Sequence, residues 1–267
     1  MTTMLKLSHV TKTFNKGTVT EKRALTGVNL ELAEGDFVTV IGGNGAGKST
    51  LLNMIAGVYP LDAGTIELDG TDVSRMTEPQ RAKFLGRVFQ DPMRGTAADM
   101  QIAENLALAK RRGQKRGLAW GISAKEKEEY PELLATLGLG LETRMSAKVG
   151  LLSGGQRQAL TLLMATLTNP KLLLLDEHTA ALDPKTAKKV LDLTEQIVTE
   201  RGLTTLMITH NMNDAIRLGN RLIMMHEGNV IYDVRGEEKK SLTVPDLLQK
   251  FEEVSGGELA NDRMLLS

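Results

Sequence analysis

The stretch that decides the fold is "DFVTVIGGNGAGKSTLLNMIAG", residues 36–57. Its first part is a nearly continuous apolar run, as expected of a β-strand that is covered on both faces. The segment Gly42–Ser49 then matches the pattern G-x-x-x-x-G-K-[ST], and the residues after it have the character of a helix. Strand, glycine-rich loop and helix in this order predict a phosphate-binding loop.

Each part of this loop suits an anion in a different way. The glycines let backbone N–H groups turn inward around phosphate oxygens, and the N terminus of the following helix adds a favourable potential. Lys48 would reach the β- and γ-phosphates of a nucleotide, and the Ser49 hydroxyl would ligate Mg²⁺. The alternative, a glycine-rich turn without a ligand, fits the flanking strand and helix less well.

Composition excludes several other classes of protein. Lys and Arg total 33 and Asp and Glu total 33, so no excess charge points to nucleic acid. The chain has no cysteine, which excludes a disulfide scaffold, thiolate catalysis and Cys-ligated zinc. Its aliphatic runs are much shorter than the roughly 20 residues that span a bilayer. We therefore expect a soluble chain that reaches a membrane only through a partner.

Short β-rich runs alternate with helical patterns through most of the 267 residues, which predicts an α/β fold. The region from about residue 91 to residue 150 has mainly helical patterns, so we expect an inserted helical subdomain there. Within it, the basic segment 109–120 is expected to be a solvated loop, or else a contact for anionic headgroups or a partner. After residue 236 the chain is polar, with one predicted helix at 244–254, and we expect this tail to pack on the domain or to support a dimer contact.

Polar side chains end several of the predicted strands. Asp176 and Glu177 follow the apolar run "KLLLL", His210 follows "TTLMIT", and Gln90 follows "GRVF". Open α/β sheets bind ligands at the carboxyl ends of their strands. The pattern therefore predicts that Asp176 holds a metal ion, that Glu177 polarises an attacking water, and that His210 and Gln90 assist.

A second glycine-rich helix start, "LLSGGQRQ" at residues 151–158, has two interpretations. Ser153 stands where an N-cap belongs, and Gln156 follows at the spacing of a capping box, so this is an ordinary capped helix in the first interpretation. In the second, Gly154 and Gly155 leave the helix N terminus uncovered for a phosphate. Because this end has no lysine and no metal-binding hydroxyl pair, it would complete a site made elsewhere.

Taken together, these motifs resemble the nucleotide-binding subunit of an ATP-binding cassette (ABC) transporter. The resemblance rests on "GGNGAGKST", "VFQ", "LSGGQ", "LLLLDE", "AALD" and "MITH", in this order, and covers roughly residues 4–235. It implies an α/β P-loop NTPase (RecA-like) core with an antiparallel β subdomain and an inserted helical subdomain. The ATPase domain would span 1–235 with the insertion at about 91–155, and 236–267 would form a short C-terminal extension.

The resemblance also implies how ATP is bound and hydrolysed. In the family, two cassettes dimerise head to tail, and each ATP lies between the phosphate loop of one and the "LSGGQ" motif of the other. Glu177 matches the general base and His210 the switch histidine, with Gln90 beside them. The implied metal ligands are Ser49, Gln90 and Asp176. The implied nucleotide-binding residues are Phe14, Gly42, Asn44, Gly45, Gly47, Lys48, Ser49, Thr50, Ser153, Gly154, Gly155, Gln156 and Asp183.

Two of these positions carry an open question. Phe14 falls where the family places an aromatic ring against adenine, and the alternative is core packing in an edge strand. His178 stands where the family usually has proline after the catalytic glutamate. Its imidazole either lies near the γ-phosphate and titrates near neutral pH, or points away and leaves catalysis unchanged.

The expected function is that of an ATPase whose dimer closes on MgATP and drives a separate permease from the cytoplasmic side of the membrane. A separate cassette of this kind resembles bacterial importers, with an extracellular substrate-binding lipoprotein as a further partner and an amino acid as the cargo. The alternatives are an exporter ATPase and a non-transport ABC ATPase; neither the net charge nor the single cassette favours the latter, so no nucleic-acid partner is expected. All the matched catalytic positions are filled, which argues against a degenerate regulatory module.

Overall fold

The strands and helices of the computed structural model fall into two units. The first is formed by residues 1–81 and 202–267, and the second by residues 82–201. The structure describes residues 2–114 and 121–255, so the last six residues of the basic segment 109–120 lie outside the described residues.

The described residues contain strands and helices in the following order. The strands are β1 (Thr3–Phe14), β2 (Lys22–Ala33), β3 (Phe37–Ile41), β4 (Ala63–Leu68), β5 (Thr71–Asp72), β6 (Leu85–Val88), β7 (Leu172–Asp176), β8 (Thr205–Ile208), β9 (Arg221–His226) and β10 (Asn229–Arg235). The helices are α1 (Lys48–Ala56), α2 (Glu78–Arg81), α3 (Ile102–Lys110), α4 (Ala124–Ala135), α5 (Gly154–Thr166), α6 (Pro184–Arg201), α7 (Met212–Arg217), α8 (Gly236–Ser241) and α9 (Val244–Ser255).

The first unit contains two kinds of strand pairing. β1 pairs antiparallel with both β2 and β4, and β4 pairs with the short β5. β3 pairs in parallel with β8 on one side and β9 on the other, and β10 closes that edge antiparallel to β9. All five residues of β3 are buried, as the nearly continuous apolar run predicts for a central parallel strand.

One buried arginine fixes the helix that follows β3. α1 ends at Gly57 in a left-handed conformation, and the guanidinium of Arg81 lies against this end. Its Nη1 donates to the carbonyl oxygens of Met54 and Ile55, at 2.7 and 2.9 Å. Its Nε donates to the Met76 carbonyl at 3.0 Å, and only 1% of the residue is exposed. A cation at the C terminus of a helix satisfies its last carbonyl groups and interacts favourably with its dipole.

The C-terminal helix α9 packs on the first unit. Leu247 and Phe251 are buried in a cluster with Met212 of α7 and with Leu222 and Met224 of β9. The predicted helix at 244–254 is therefore present, and its apolar side is covered by the strands and helix that precede it.

The second unit has a parallel strand pair and a helical core. β6 pairs in parallel with β7, and the four leucines of β7 are all buried. Its helices pack through a cluster that includes Ile102 of α3, Tyr130 and Leu134 of α4, and Leu160 and Leu163 of α5. The predicted insertion at about 91–155 contains α3 and α4, whereas the unit that the contacts define is larger.

The predicted α/β fold class is confirmed, because parallel strand pairs alternate with helices along the chain and an antiparallel sheet accompanies them. Among residues 2–114 and 121–255, no helix has both the length and the hydrophobicity that crossing a bilayer requires.

We predict that Arg81→Met lowers the free energy of unfolding by about 3 kcal/mol, because it removes the buried guanidinium that donates to several carbonyl groups at the end of α1 and beside it. Urea denaturation followed by circular dichroism measures this change. Arg75→Met is the matched control, since Arg75 is exposed and its loss is expected to cost about 0.5 kcal/mol or less. Equal stability of the two variants would contradict the assigned role of Arg81.

Candidate functional site

Two glycines of the phosphate loop lie where no side chain fits. Gly42 has a φ of 147°, and a Cβ atom there would lie 2.2 Å from the carbonyl oxygen of Met225 in β9. Gly47 has a φ of 99°, and its Cβ would lie 2.6 Å from the carbonyl oxygen of Ala24 in β2. Both the conformation and the close approach require glycine, so the loop is shaped by the strands beside it.

Lys48 folds back across the loop. It is the first residue of α1, it is buried, and its Nζ donates to the carbonyl oxygens of Gly42 at 2.6 Å and Gly43 at 3.1 Å. No side chain caps the helix at Gly47, so the N terminus of α1 is available to an anionic ligand. The next residue, Ser49, is exposed. The loop thus combines the Lys48 ammonium group, which is hydrogen-bonded to loop carbonyls, with an uncapped helix end and the exposed residue Ser49.

The pairing of β3 with β8 brings His210 to the same strand ends. Val40 lies opposite Ile208, and the N–H of Thr209 donates to the Val40 carbonyl at 3.2 Å. His210, the next residue, is exposed where the loop leaves β3. Asn211 then caps α7 by accepting a hydrogen bond from the Asp214 N–H at 3.1 Å, which gives a structural reason for that residue.

Phe14 lies at the end of β1 that is closest to the phosphate loop. It pairs with Lys22, whose Nζ lies 3.2 Å from the position that a Cβ of Gly45 would occupy. Its ring packs edge-to-face on Tyr59 at 5.1 Å and is partly exposed. β1 has partners on both sides as far as Thr11, but at Phe14 it pairs with β2 alone, so the adenine contact and packing in an edge strand both stay predictions. Sequence reasoning missed Lys22, since no motif contains it and only the strand pairing brings it to the loop.

The second unit brings together Gln90, Asp176 and Glu177. β6 and β7 run in parallel with Val88 opposite Leu175, so the residues after both strands emerge at one edge. There Arg87 lies 3.8 Å from the Asp176 carboxylate and over the ring of Phe89, 4.5 Å from its centroid. Gln90 is exposed, and Asp176 and Glu177 are partly buried.

The turn at Glu177 has an unusual backbone conformation. Its φ is 44°, in the left-handed region, although Glu177 is not a glycine. The turn is closed by a hydrogen bond from the Ala180 N–H to the Glu177 carbonyl at 3.0 Å. Such conformations cost about 1–3 kcal/mol and persist only where neighbouring contacts enforce them.

His178 points away from the strand edge and into the second unit. It is almost fully buried, and its Nε2 lies 3.0 Å from the hydroxyl of Thr194 in α6. Burial lowers the pKa of His178 to about 4. Of the two interpretations of this residue, titration near neutral pH is therefore wrong, and a ring that points away is what the structure shows.

The helix α5 begins with the predicted capping box. Ser153 Oγ accepts from the Gln156 N–H at 3.3 Å, and Gln156 Oε1 accepts from the Ser153 N–H at 3.2 Å. Gly155 has a second reason to be glycine, because a Cβ there would lie 2.2 Å from Thr186 Cγ2 of α6. Asp183 accepts from the Thr186 N–H at 3.1 Å, so the first turn of α6 is fixed beside the start of α5.

A further residue of this helix, Gln158, was missed by sequence reasoning. It is fully buried, and its Nε2 donates to the Phe89 carbonyl at 3.2 Å, one residue before Gln90. The sequence signal that could have revealed Gln158 is a polar residue among the apolar positions of α5, since a buried polar side chain needs a hydrogen-bond partner. The structure thereby connects α5 directly to the segment that carries Gln90.

Comparison with known proteins agrees with this arrangement. A family model described as "ABC transporter" matches residues 25–180, which include the phosphate loop, the start of α5 and the turn after β7. The chain belongs to the ABC transporter family. Its membership identifies it as the ATP-binding, ATP-hydrolysing subunit of such a transporter.

Among curated relatives of this ABC transporter subunit is a tyrosine transport ATP-binding protein of Clostridioides difficile. It is 44% identical over 249 residues, which cover 93% of this chain and 99% of the relative. A methionine import ATP-binding protein of Caulobacter vibrioides is 34% identical over 260 residues, or 96% of this chain and 74% of the relative. A lipoprotein-releasing system ATP-binding protein of the same organism is 34% identical over 239 residues, or 88% of this chain and 97% of the relative.

Solved structures of ATP-binding cassettes share the fold. A dimeric cassette in a post-hydrolysis state, bound to ADP and Pi, matches with a TM-score of 0.74 and 32% identity over 87% of this chain and 98% of that one. The ADP conformation of another cassette matches with a TM-score of 0.76 and 27% identity over 94% of this chain and 99% of that one. The P-loop NTPase fold predicted for this subunit is confirmed.

We predict that Gly155→Ala lowers the free energy of unfolding by about 1–3 kcal/mol, because the added Cβ overlaps Thr186 Cγ2. Gly154→Ala is the matched control, since its Cβ would lie 3.2 Å from the movable end of Leu182. Thr186→Ser, which removes the overlapping methyl group, should restore the stability of Gly155→Ala. Chemical denaturation of the four variants measures this, and a lack of rescue would contradict the close contact.

We also predict a pH-dependent contribution from His178. In the unfolded chain its pKa is about 6.5, whereas in the folded chain it is about 4, so the unfolded state binds the extra proton first. Stability is then fully present above pH 6.5 and falls as the pH is lowered toward 4. Relative to His178→Gln, the folded protein should lose about 2 kcal/mol between pH 7 and pH 5. Urea unfolding at both pH values tests this, and a constant difference between the two proteins would contradict a buried neutral ring.

Proposed function

We propose that two copies of this subunit bind two MgATP molecules head to tail, and that closing of this dimer drives a separate transmembrane permease. The observation that carries the proposal is the pair of glycine-rich helix starts. The loop at α1 supplies a lysine and the adjacent hydroxyls of Ser49 and Thr50, whereas the start of α5 supplies no lysine and no such hydroxyl pair. A second copy supplies the phosphate loop that the α5 end lacks.

In this proposal the first unit holds the nucleotide. The backbone of residues 42–47 surrounds the phosphates, Lys48 contacts the β- and γ-phosphates, and Thr50 adjoins them in α1. Phe14 packs on adenine, which its partly exposed position at the end of β1 supports. The exposed His210 bonds the γ-phosphate from the adjacent strand end.

The second unit holds the attacking water. Glu177 accepts a proton from that water as the water oxygen bonds to the γ-phosphorus and the bond to the β–γ bridging oxygen breaks, which releases ADP and phosphate. Gln90 orients the attacking water. The oxygen donors for Mg²⁺ are the Ser49 hydroxyl, the Asp176 carboxylate and the Gln90 amide, which are the hard ligands that this ion prefers. When bound, Mg²⁺ neutralises charge that develops on the phosphate oxygens.

The start of α5 completes the site of the other copy. The γ-phosphate lies against the N–H groups of Gly154 and Gly155 and the Ser153 hydroxyl, while Gln156 keeps the helix end in shape through the capping box. Asp183 crosses to the partner at the turn before α6. This arrangement makes hydrolysis depend on two chains.

We further infer import of an amino acid. Relatives are named for tyrosine transport and methionine import, and the first of these is 44% identical over nearly the whole chain. The permease and an extracellular substrate-binding lipoprotein would select the cargo, and this subunit would work at the cytoplasmic face of the membrane. Relatives named for lipoprotein release, at 34–35% identity, make an export system the second candidate.

Uptake of labelled tyrosine and methionine by cells that lack this subunit separates the two candidates. Import predicts reduced uptake, restored by the wild-type subunit and not by Lys48→Ala. Unchanged uptake of both amino acids together with altered lipoprotein release would favour the second candidate. Purification from solubilised membranes with nucleic acid, rather than with a multi-span protein, would contradict both.

We predict that Glu177→Gln lowers kcat for ATP hydrolysis by about 100-fold or more, since a general base contributes a factor of this size, while ATP affinity stays close to wild type. Single-turnover hydrolysis and equilibrium binding of ATP measure the two effects. Glu200→Gln, which removes an exposed carboxylate of α6, is the control and should retain full activity. Wild-type turnover in Glu177→Gln would remove this residue from the proposed role.

We predict that Ser153→Arg leaves the ATP affinity of the monomer nearly normal while abolishing cooperative hydrolysis, because the arginine side chain fills the place of the second copy's phosphate. Ser146→Arg adds the same charge at an exposed position of the second unit and should have little effect. Hydrolysis rates over a range of protein concentrations make the comparison. Normal, cooperative hydrolysis by Ser153→Arg would contradict the two-chain site.

A further inference from the structure

The turn that carries Glu177 needs an external restraint. Its left-handed backbone, with a φ of 44°, costs an L-residue with a side chain about 1–2 kcal/mol. The hydrogen bond from the Ala180 N–H closes the turn locally. It does not by itself fix the direction in which the turn leaves β7, so contacts with the rest of the unit must set that direction.

The side chain of His178 makes such a contact. Only 1% of His178 is exposed, and Thr194, its partner in α6, is fully buried. The Thr194 hydroxyl donates its single hydrogen to the Val190 carbonyl, at 2.8 Å. At the 3.0 Å contact with His178, Thr194 must therefore accept, and Nε2 of the ring carries the proton.

The other ring nitrogen supports the same assignment. Nδ1 is buried and has no hydrogen-bond partner among the described residues. A neutral ring with its proton on Nε2 leaves Nδ1 as a bare acceptor, whereas a proton on Nδ1 would be a buried donor without an acceptor, which is the costlier state. The ring is thus held in one tautomer and one orientation by α6.

We propose that His178 is a positioning residue for the proposed base: its Nε2–H hydrogen bond to Thr194 anchors the Glu177 turn to helix α6 and fixes where the Glu177 carboxylate lies. The proposal rests on the role of Glu177 given above. The anchor lies in the middle of α6, while the Asp183 side chain fixes the first turn of the same helix. The segment between Glu177 and α6 is therefore held at both ends by one rigid element.

The anchor predicts a specific kinetic effect. Without it the carboxylate shifts relative to the water, and displacements of about 1 Å lower rates by up to about 100-fold. His178→Leu is expected to lower kcat by about 10- to 100-fold and to leave KM for ATP within about twofold. His178→Gln, whose amide nitrogen stands near the position of Nε2, should retain most of kcat.

Thr194 offers a matched pair on the other side of the contact. Thr194→Val removes the acceptor and keeps the shape, so kcat should fall as in His178→Leu. Thr194→Ser keeps the hydroxyl and should behave like the wild type. If His178→Leu does not fold, the two Thr194 variants still test whether the hydrogen bond to His178 supports catalysis.

The decisive experiment measures single-turnover ATP hydrolysis by the full chain, with each variant combined with Glu177→Gln. The four variants are His178→Gln, His178→Leu, Thr194→Ser and Thr194→Val. A residue that acts through the Glu177 carboxylate has no further effect once that carboxylate is absent, so all four rates should equal that of Glu177→Gln alone. Equal fold-losses in both backgrounds, or unchanged kcat in His178→Leu and Thr194→Val, would overturn the proposal. If Glu177→Gln itself turned over like the wild type, the proposed base would fail, which is a separate result.

Discussion

The close approach of backbone to backbone at Gly42 is the constraint on which the proposed nucleotide site depends. A Cβ at this position would lie only 2.2 Å from the Met225 carbonyl oxygen of β9, so the chain leaves β3 in a direction that only glycine permits. That direction places Gly47 against β2 and starts α1 at Lys48 without a side-chain cap. The shape of the loop and the uncapped start of α1 are thus a consequence of how three strands fit together, and Arg81 holds the far end of the same helix.

In the second unit the corresponding element is α6. Its Thr186 methyl group lies against Gly155 at the start of α5, and its Thr194 hydroxyl is hydrogen-bonded to His178 beside Glu177. One rigid helix therefore contacts both the proposed phosphate-binding end of α5 and the proposed catalytic turn. A substitution at one of these contacts is expected to shift the structure at the other, because both pack against α6.

Much of the fold and of the candidate site could be predicted from short stretches of the sequence. The apolar runs at β3, β7 and β8 and the polar residues that follow them give the parallel strands and their functional edge, and the glycine pattern gives the loop, since each signal needs only a few adjacent residues. Three other features could not be predicted in this way, because each joins segments that are distant along the chain. They are the orientation of His178, the approach of Lys22 to the loop and the hydrogen bond from Gln158 to Phe89. The reason for glycine at 155 was only partly foreseen, since the Thr186 methyl group lies 31 positions later.

The central claim is that each ATP site is built from two chains, and mixing two inactive variants tests it most directly. Lys48→Ala disables the phosphate loop and Ser153→Arg disables the α5 end, so neither protein alone should hydrolyse ATP. In a mixed dimer, the intact loop of one chain faces the intact α5 end of the other, and the account predicts that hydrolysis reappears on mixing. If the mixture stays as inactive as its components, while each variant still dimerises with the wild-type chain, the two-chain site is contradicted.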